Sequence, residues 1–245
     1  MAIRTIDDSI LQGIAEAIQA KDGGGTMTVE QMPTRIATIP TQDNALLYSL
    51  INRSITSIEN SEVTSIGYNA FRDCANLTSV SFPNVTSINP FAFRDCANLT
   101  SVSFPNVTSI GYNAFQNCAN LTSVSFPNVT SIGPSAFQNC ANLTSVSFPN
   151  VTGIGYSAFQ ECTNLTSVSF PNVTDIRVNA FLDCTNLTIV ILGKRVTLSN
   201  SNAFSGTGNA IIYVQPEDLS WYSTATNWSV LYTAGRVKSI EELPT

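Results

Sequence analysis

The chain has 245 residues, of which 43% are hydrophobic and only 11% charged, with a formal net charge of −6 and no histidine. Eleven Lys and Arg without a basic cluster leave nothing to neutralise a phosphate backbone or an anionic lipid surface, so nucleic-acid partners are excluded, and the missing imidazole removes the commonest general base and metal ligand. Ser, Thr and Asn take the place of the charges, which points to a folded, β-rich protein with a neutral, hydroxylated surface.

Residues 1–43 differ from the rest. Ile6, Ile10, Ile14 and Ile18 recur every four residues, the pattern of an amphipathic helix. Thr5 with Asp8 makes a capping-box-like start, and Lys21 with Gly23, Gly24 and Gly25 makes a stop. A second short helix is expected from Thr28 through Val29, Met32 and Ile36 to Ile39, with Pro40 and the polar residues after it as a hinge. There is no apolar signal-peptide core at the start, and no apolar run approaches the roughly 18 residues of a membrane span. Synthesis in a cytoplasm without Sec export and without membrane insertion is therefore expected. The layout Ile14-Ala-Glu-Ala-Ile-Gln-Ala-Lys-Asp-Gly23, followed by Met27-Thr-Val-Glu-Gln-Met-Pro-Thr-Arg-Ile36, resembles an N-terminal segment of phage and prophage virion proteins. That resemblance implies a helical anchor to other virion proteins, with the rest projecting outward and the virion as location. The same stripe can instead cap the first coil, or pack on copies of itself to give a homo-oligomer.

From residue 44 the sequence is a repeat. Ser-Val-Ser-Phe-Pro-Asn-Val-Thr occurs verbatim from Ser79, Ser101, Ser123, Ser145 and Ser167, each 22 residues after the last. Cys74, Cys96, Cys118, Cys140, Cys162 and Cys184 keep the same step. A fixed period of this kind predicts a leucine-rich-repeat solenoid, a parallel β-structure with short helical or 3-10 turns, whose coils stack about 4.8 Å apart. Within a coil, Ala70, Phe71 and Cys74 are assigned to the helical or 3-10 turn. Val80 and Phe82, alternating with Ser79 and Ser81, form a strand that Pro83 ends. Val85 and Ile88 turn inward on a second extended segment, and Gly67, Gly111, Gly133 and Gly155 mark the next turn, where a positive φ is expected. About six to seven coils would make a rod on the order of 30 Å long. The unit Ala70-Phe-Arg-Asp-Cys-Ala-Asn-Leu-Thr-Ser-Val-Ser-Phe-Pro-Asn-Val-Thr-Ser-Ile88 resembles the BspA-like leucine-rich repeats over roughly residues 48 to 212. The resemblance implies an adhesion or recognition protein.

The last coils are irregular. Arg177, Val178, Leu182, Ile189, Ile191 and Leu192 replace consensus polar residues, and Gly206 stands where a cysteine is due. The stretch from Ile211, through Tyr213, Val214, Tyr222, Ala225, Thr226, Asn227 and Trp228, resembles the segment that closes BspA-like arrays, with its proline displaced one place by Gln215-Pro216. Trp221, Tyr222 and Trp228 are expected to cover the open end of the core, and an aromatic cluster there can alternatively bind sugar. The division is thus a helical anchor at 1–43, a solenoid at 44–210 and a C-terminal cap at 211–245.

Stacked cysteines point the same way, whereas disulfides and zinc sites need converging ligands. The six are read as reduced, buried thiols acting as small apolar residues, with no metal or cofactor. Most Asn-x-Ser/Thr triplets fall at two repeat positions, among them Asn76, Asn84, Asn98 and Asn106, with another at Asn227; they are read as structural, some of them bonding the turn backbone, rather than as glycan acceptors. Asp73, Asp95 and Asp183 share one position with Asn117, Asn139 and Glu161; with Arg72 and Arg94 beside the first two, a solvated ion-pair face is expected rather than acid–base chemistry. No nucleophile elbow or phosphate loop is present, so no enzyme is expected. The candidate ligand edge consists of Tyr68, Phe91, Tyr112 and Tyr156 with Arg72, Arg94, Gln116 and Gln138. Tyrosines beside amides suit sugar rings, and near-identical coils suit a repetitive ligand bound through avidity, or a spacer in which only length matters. The expectation is a virion component, on tail tip, fibre or head, that contacts a host surface glycan or protein. A virion element without a ligand and a bacterial surface adhesin are the alternatives.

Overall fold

Each 22-residue unit can bring its apolar residues to one interior only by turning back on itself, and each coil then needs a neighbour on either side. The computed structural model describes residues 55–61 and 63–244. The helical segment expected at 1–43, with Ile6, Ile10, Ile14 and Ile18, lies outside the described residues. Strand Ser79–Ser81 buries Val80 and turns Ser79 and Ser81 outward, stopping short of Pro83. Strand Ser87–Ile88 buries Ile88. The pair recurs along the chain, and pairing is parallel and unslipped: Ser57 with Ser79, Ser79 with Ser101, Ile66 with Ile88, and Ile88 with Ile110.

Among the described residues the second strands form one seven-stranded sheet from Ser65–Ile66 to Thr197–Leu198. The first strands run from Ser57–Glu59 to Ile211–Val214 in sheets of three, two and four strands, the last ending on Val237–Ser239. That makes eight coils among the described residues, against the six to seven expected. The outer strands escape a count of verbatim repeats because they read Ser-Ile-Glu, Ile-Val-Ile-Leu and Ile-Ile-Tyr-Val.

Inside, Phe71, Phe93, Phe115, Phe137, Phe159, Phe181 and Phe204 form one stack, with neighbouring rings 5.1–5.4 Å apart and within 7° of parallel. Coil spacing sets that distance, and it is the offset-stacked geometry aromatic rings favour. Phe82, Phe104, Phe126 and Phe148 make a second stack tilted against the first. Leu77, Val85 and Ile88 and their counterparts fill the remainder, almost all inaccessible.

The segment expected to be a helical or 3-10 turn is a chain of separate turns. Ala70 N–H donates to Gly67 C=O, Arg72 to Asn69, Cys74 to Phe71 and Leu77 to Cys74. Left-handed residues at Asn69 (φ 58°) and Asp73 (φ 58°) interrupt any longer helix, and both positions recur down the stack. Only in the last coil does this segment close into a 3-10 helix among the described residues, at Ser201–Phe204. The positive φ expected at Gly67, Gly111, Gly133 and Gly155 is not there. Crowding explains three of these glycines: a Cβ on Gly133 would lie 2.7 Å from the Ile110 carbonyl oxygen of the preceding coil, and Gly111 and Gly155 are as tight. Gly206 also proves not to replace a cysteine. The coil before it is one residue longer, so Gly206 (φ 73°) holds the left-handed position and Thr207 takes the cysteine's place, its hydroxyl bonded to Phe204 C=O.

The six cysteines are buried thiols, none of them in a disulfide. Each thiol from Cys96 to Cys184 donates to a phenylalanine carbonyl of the preceding coil, as Cys96 does to Phe71 at 3.0 Å and Cys140 to Phe115 at 3.2 Å. They are therefore hydrogen-bond donors between coils as well as apolar filler. Burial pushes the thiols up, those of Cys140 and Cys184 to about 12.

Polar ladders run along the outside. Asn106, Asn128, Asn150 and Asn172 donate to the carbonyls of Pro83, Pro105, Pro127 and Pro149 at 2.7–2.9 Å. Asn120, Asn142 and Asn164 each donate to the side-chain oxygen of the asparagine one coil earlier. The Asn106 series thus bonds the turn backbone, as expected of some of these asparagines, while the Asn120 series forms a side-chain ladder. At the C-terminal end Trp228 lies on Phe204 with centroids 6.2 Å apart, and Tyr222 packs edge-on against Trp228. Trp228 Nε1 donates to Val196 C=O at 2.6 Å and Tyr222 Oη to Lys194 C=O at 2.9 Å. Trp228 and Tyr222 close the core; Trp221 packs beside them, half-buried.

Candidate functional site

The candidate edge is the line of turns between the second strand of one coil and the phenylalanine of the next. There the chain reverses through the left-handed residue of each coil: Asn69, Phe91, Asn113, Ser135, Ser157 and Asn179. Backbone bonds tie successive turns together, Asn69 N–H to Pro90 C=O, Phe91 N–H to Tyr112 C=O and Asn113 N–H to Pro134 C=O. A side chain just before the left-handed residue has no place in the core. Tyr68 and Tyr112 are each 40% exposed and Tyr156 is 50% exposed, the largest exposed aromatics among the described residues.

Structure brings part of the predicted set together and leaves part apart. Tyr68, Phe91 and Tyr112 form one cluster: the Phe91 ring lies 5.3 Å from Tyr68 at 79° and 4.8 Å from Tyr112 at 84°. The neighbouring Tyr112 side chain, followed by burial, holds the Tyr68 hydroxyl above its ordinary pKa. The Arg94 guanidinium stands 5.6 Å over the Phe91 ring. Tyr156 is separate, two coils beyond Tyr112, with Arg177 5.9 Å over its ring.

The charged and amide row is internally bonded. Arg72 Nε lies 3.7 Å from Asp73 and Arg94 Nε 3.1 Å from Asp95, the ion-pair face that the sequence suggested. Neither Nε meets hydrogen-bond geometry, so these are charge contacts rather than aligned bonds. Half-exposed as they are, they add little stability. Asn117 Nδ2 donates to Asp95 Oδ1 at 2.6 Å and Asn139 to Asn117 at 3.0 Å. Gln116 accepts from Asn113 and donates to Gln138 Oε1 at 2.9 Å. Asp73, Asp95, Asn117, Asn139, Glu161 and Asp183 share a position because each is left-handed there, a conformation that Asn and Asp adopt at low cost. Their recurrence was the available signal, and a reading confined to charge passed over it. On the strand face, Ser101, Ser103, Ser123, Ser125, Ser145 and Ser147 are exposed, giving a flat hydroxylated surface.

The BspA type leucine rich repeat region matches this sequence in six copies, over residues 44–166 and 108–221. The chain belongs to that family. No curated protein matches it. Among solved structures, the BspA-type chain is similar to a leucine-rich repeat protein from Bacteroides ovatus, at 28% identity and a TM-score of 0.55 over 67% of this chain and 50% of the other. It is also similar to the leucine rich repeat protein of T. pallidum, at 27% identity and a TM-score of 0.58 over 62% of this chain and 76% of that one. The BspA-type chain therefore spans about half the length of the Bacteroides ovatus protein.

Proposed function

We propose that this BspA-type chain is a non-enzymatic binding scaffold whose turn edge recognises a host surface glycan, and that residues 1–43 attach it to a virion. The observation that carries the binding half is the row of exposed tyrosines at Tyr68, Tyr112 and Tyr156, held by a rigid parallel sheet beside bonded amides. An aromatic face stacks on the apolar face of a sugar ring, while neighbouring hydroxyls and amides bond its oxygens. Binding fits this edge better than catalysis, because Asp95 is already engaged by Arg94 and Asn117. The virion half rests on the layout of Ile6, Ile10, Ile14 and Ile18 and the segment that follows. Replacing Tyr68, Tyr112 and Tyr156 together with Ala is expected to abolish binding to bacterial cells and purified wall polysaccharide while the rod stays folded; unchanged binding refutes the edge. Deleting residues 1–43 is expected to release the protein from particles, and continued incorporation refutes the anchor.

A second reading, a bacterial surface adhesin, is favoured by the family match and by the bacterial sources of the similar structures. It predicts the protein on the surface of the cell that makes it, whereas the virion reading predicts co-purification with particles. Co-purification without any cell or polysaccharide binding would leave a virion spacer.

A further inference from the structure

One residue on the edge sits where the backbone disfavours it. Five coils place Asn or Ser at the left-handed turn position, at Asn69, Asn113, Ser135, Ser157 and Asn179, and one places Phe91 there at φ 60°. Small polar residues adopt this conformation readily, whereas a bulky aromatic does so at a cost, and such outliers gather at binding sites. The change is local to one coil, where Asn89-Pro90-Phe91 replaces the Gly-Tyr-Asn found at Gly67-Tyr68-Asn69 and Gly111-Tyr112-Asn113. Its effect is to send a ring sideways between the tyrosines of the coils before and after. Both tyrosine rings are then nearly perpendicular to the Phe91 plane, at 79° and 84°. Pro90 fixes the approach to that turn through its locked φ, and Arg94 covers the Phe91 ring. Tyr156 has no such brace: its neighbours in the same row are Pro134 and Val178, and the left-handed residue after it is Ser157.

We propose that Phe91 is a positioning residue that braces Tyr68 and Tyr112 into a two-ring platform on which a single pyranose ring stacks, so that the chain carries one principal sugar subsite rather than a row of equal ones. The inference rests on the glycan-binding reading and sharpens it. Two rings ordered before the ligand arrives lose no rotamer freedom on binding, which favours this place over the isolated Tyr156. The platform contacts one ring of the glycan, so affinity is set by that unit and not by the length of the polymer.

The test uses the full chain and calorimetry with three probes: oligosaccharides released from purified bacterial wall polysaccharide, chitohexaose and maltohexaose. Phe91→Asn restores the residue of the neighbouring coils and is expected to fold normally by circular dichroism. It should weaken binding about tenfold, the loss of one ordered ring contact, and return the Tyr68 phenol toward its ordinary titration. Phe91→Tyr, which keeps the brace, should retain both, and Tyr156→Ala should lower affinity less than Phe91→Asn does, with one site per chain. Unaltered affinity in Phe91→Asn, or equal losses from Phe91→Asn and Tyr156→Ala, overturns the platform and spares the glycan reading. Failure of every probe to bind the unaltered protein overturns both.

Discussion

Replacing Cys140 with Ala should produce a stability defect that disappears as the solution becomes alkaline. In the native chain the Cys140 thiol is fully buried and donates to the Phe115 carbonyl at 3.2 Å. Losing that bond and the sulfur's packing costs about 1–2 kcal/mol near neutral pH. Burial also raises the thiol from an ordinary 9.0 to about 12. Between those values the unfolded chain has released its proton and the folded one has kept it. The native state binds more protons, so stability falls as pH rises. The thiol's contribution is complete below 9.0 and lost on the way to about 12, at roughly 1–2 kcal/mol per pH unit. Alanine has no proton to release. The variant's deficit should therefore shrink above about pH 9 and vanish roughly a unit higher. Urea denaturation midpoints of both proteins, measured from about pH 7 to 10.5 with a reductant present, read this directly. A constant gap across that range would mean that the thiol is not desolvated, and the account of the cysteine ladder would fail.

Three further outcomes are expected. Gly133→Ala should destabilise by about 1–3 kcal/mol, because its Cβ would press on the Ile110 and Gly111 backbone, whereas Gly153→Ala, with nothing within 4 Å, should be close to neutral in the same melts. Asn139→Val should cost about 1–2 kcal/mol, since a β-branched residue resists φ 59°, and Asn139→Gly should be tolerated. Trp228→Ala should cost about 3–5 kcal/mol, and because it uncovers Phe204, hydrogen exchange should rise first in the coils nearest the C-terminus.

Coil, register and core were legible in the sequence because hydrophobic periodicity and a constant 22-residue step are properties of composition along the chain. Val80, Phe82, Val85 and Ile88 face inward as the alternation requires. The sign of φ leaves no trace in hydropathy. That is why the glycines at 111, 133 and 155 invited a conformational reading when backbone crowding explains them, and why the shared need of Asp73 and Asn117 went unseen. Gly206 was misplaced by counting 22 residues through a coil that holds one more. At the edge, exposure of Tyr68, Tyr112 and Tyr156 followed from their place beside the turns. The convergence of Phe91 on two of them did not, because it depends on a backbone conformation that phenylalanine rarely takes.

The side-chain ladders also have a direction. Asn106, Thr100 and Cys96 all donate to atoms of the coil that precedes them in the chain, as do Asn128, Thr144 and Cys140, whereas Gln116 donates to Gln138 of the coil that follows. During synthesis these side chains of an emerging coil meet acceptors already in place on the coil made before it. For these side chains shortening is asymmetric: cutting from the C-terminal side removes them together with their coil, while cutting from the N-terminal side strands those of the coil left at the break; a C-terminal cut instead strands backbone N–H groups such as those of Phe71 and Phe91, which donate to the coil that follows.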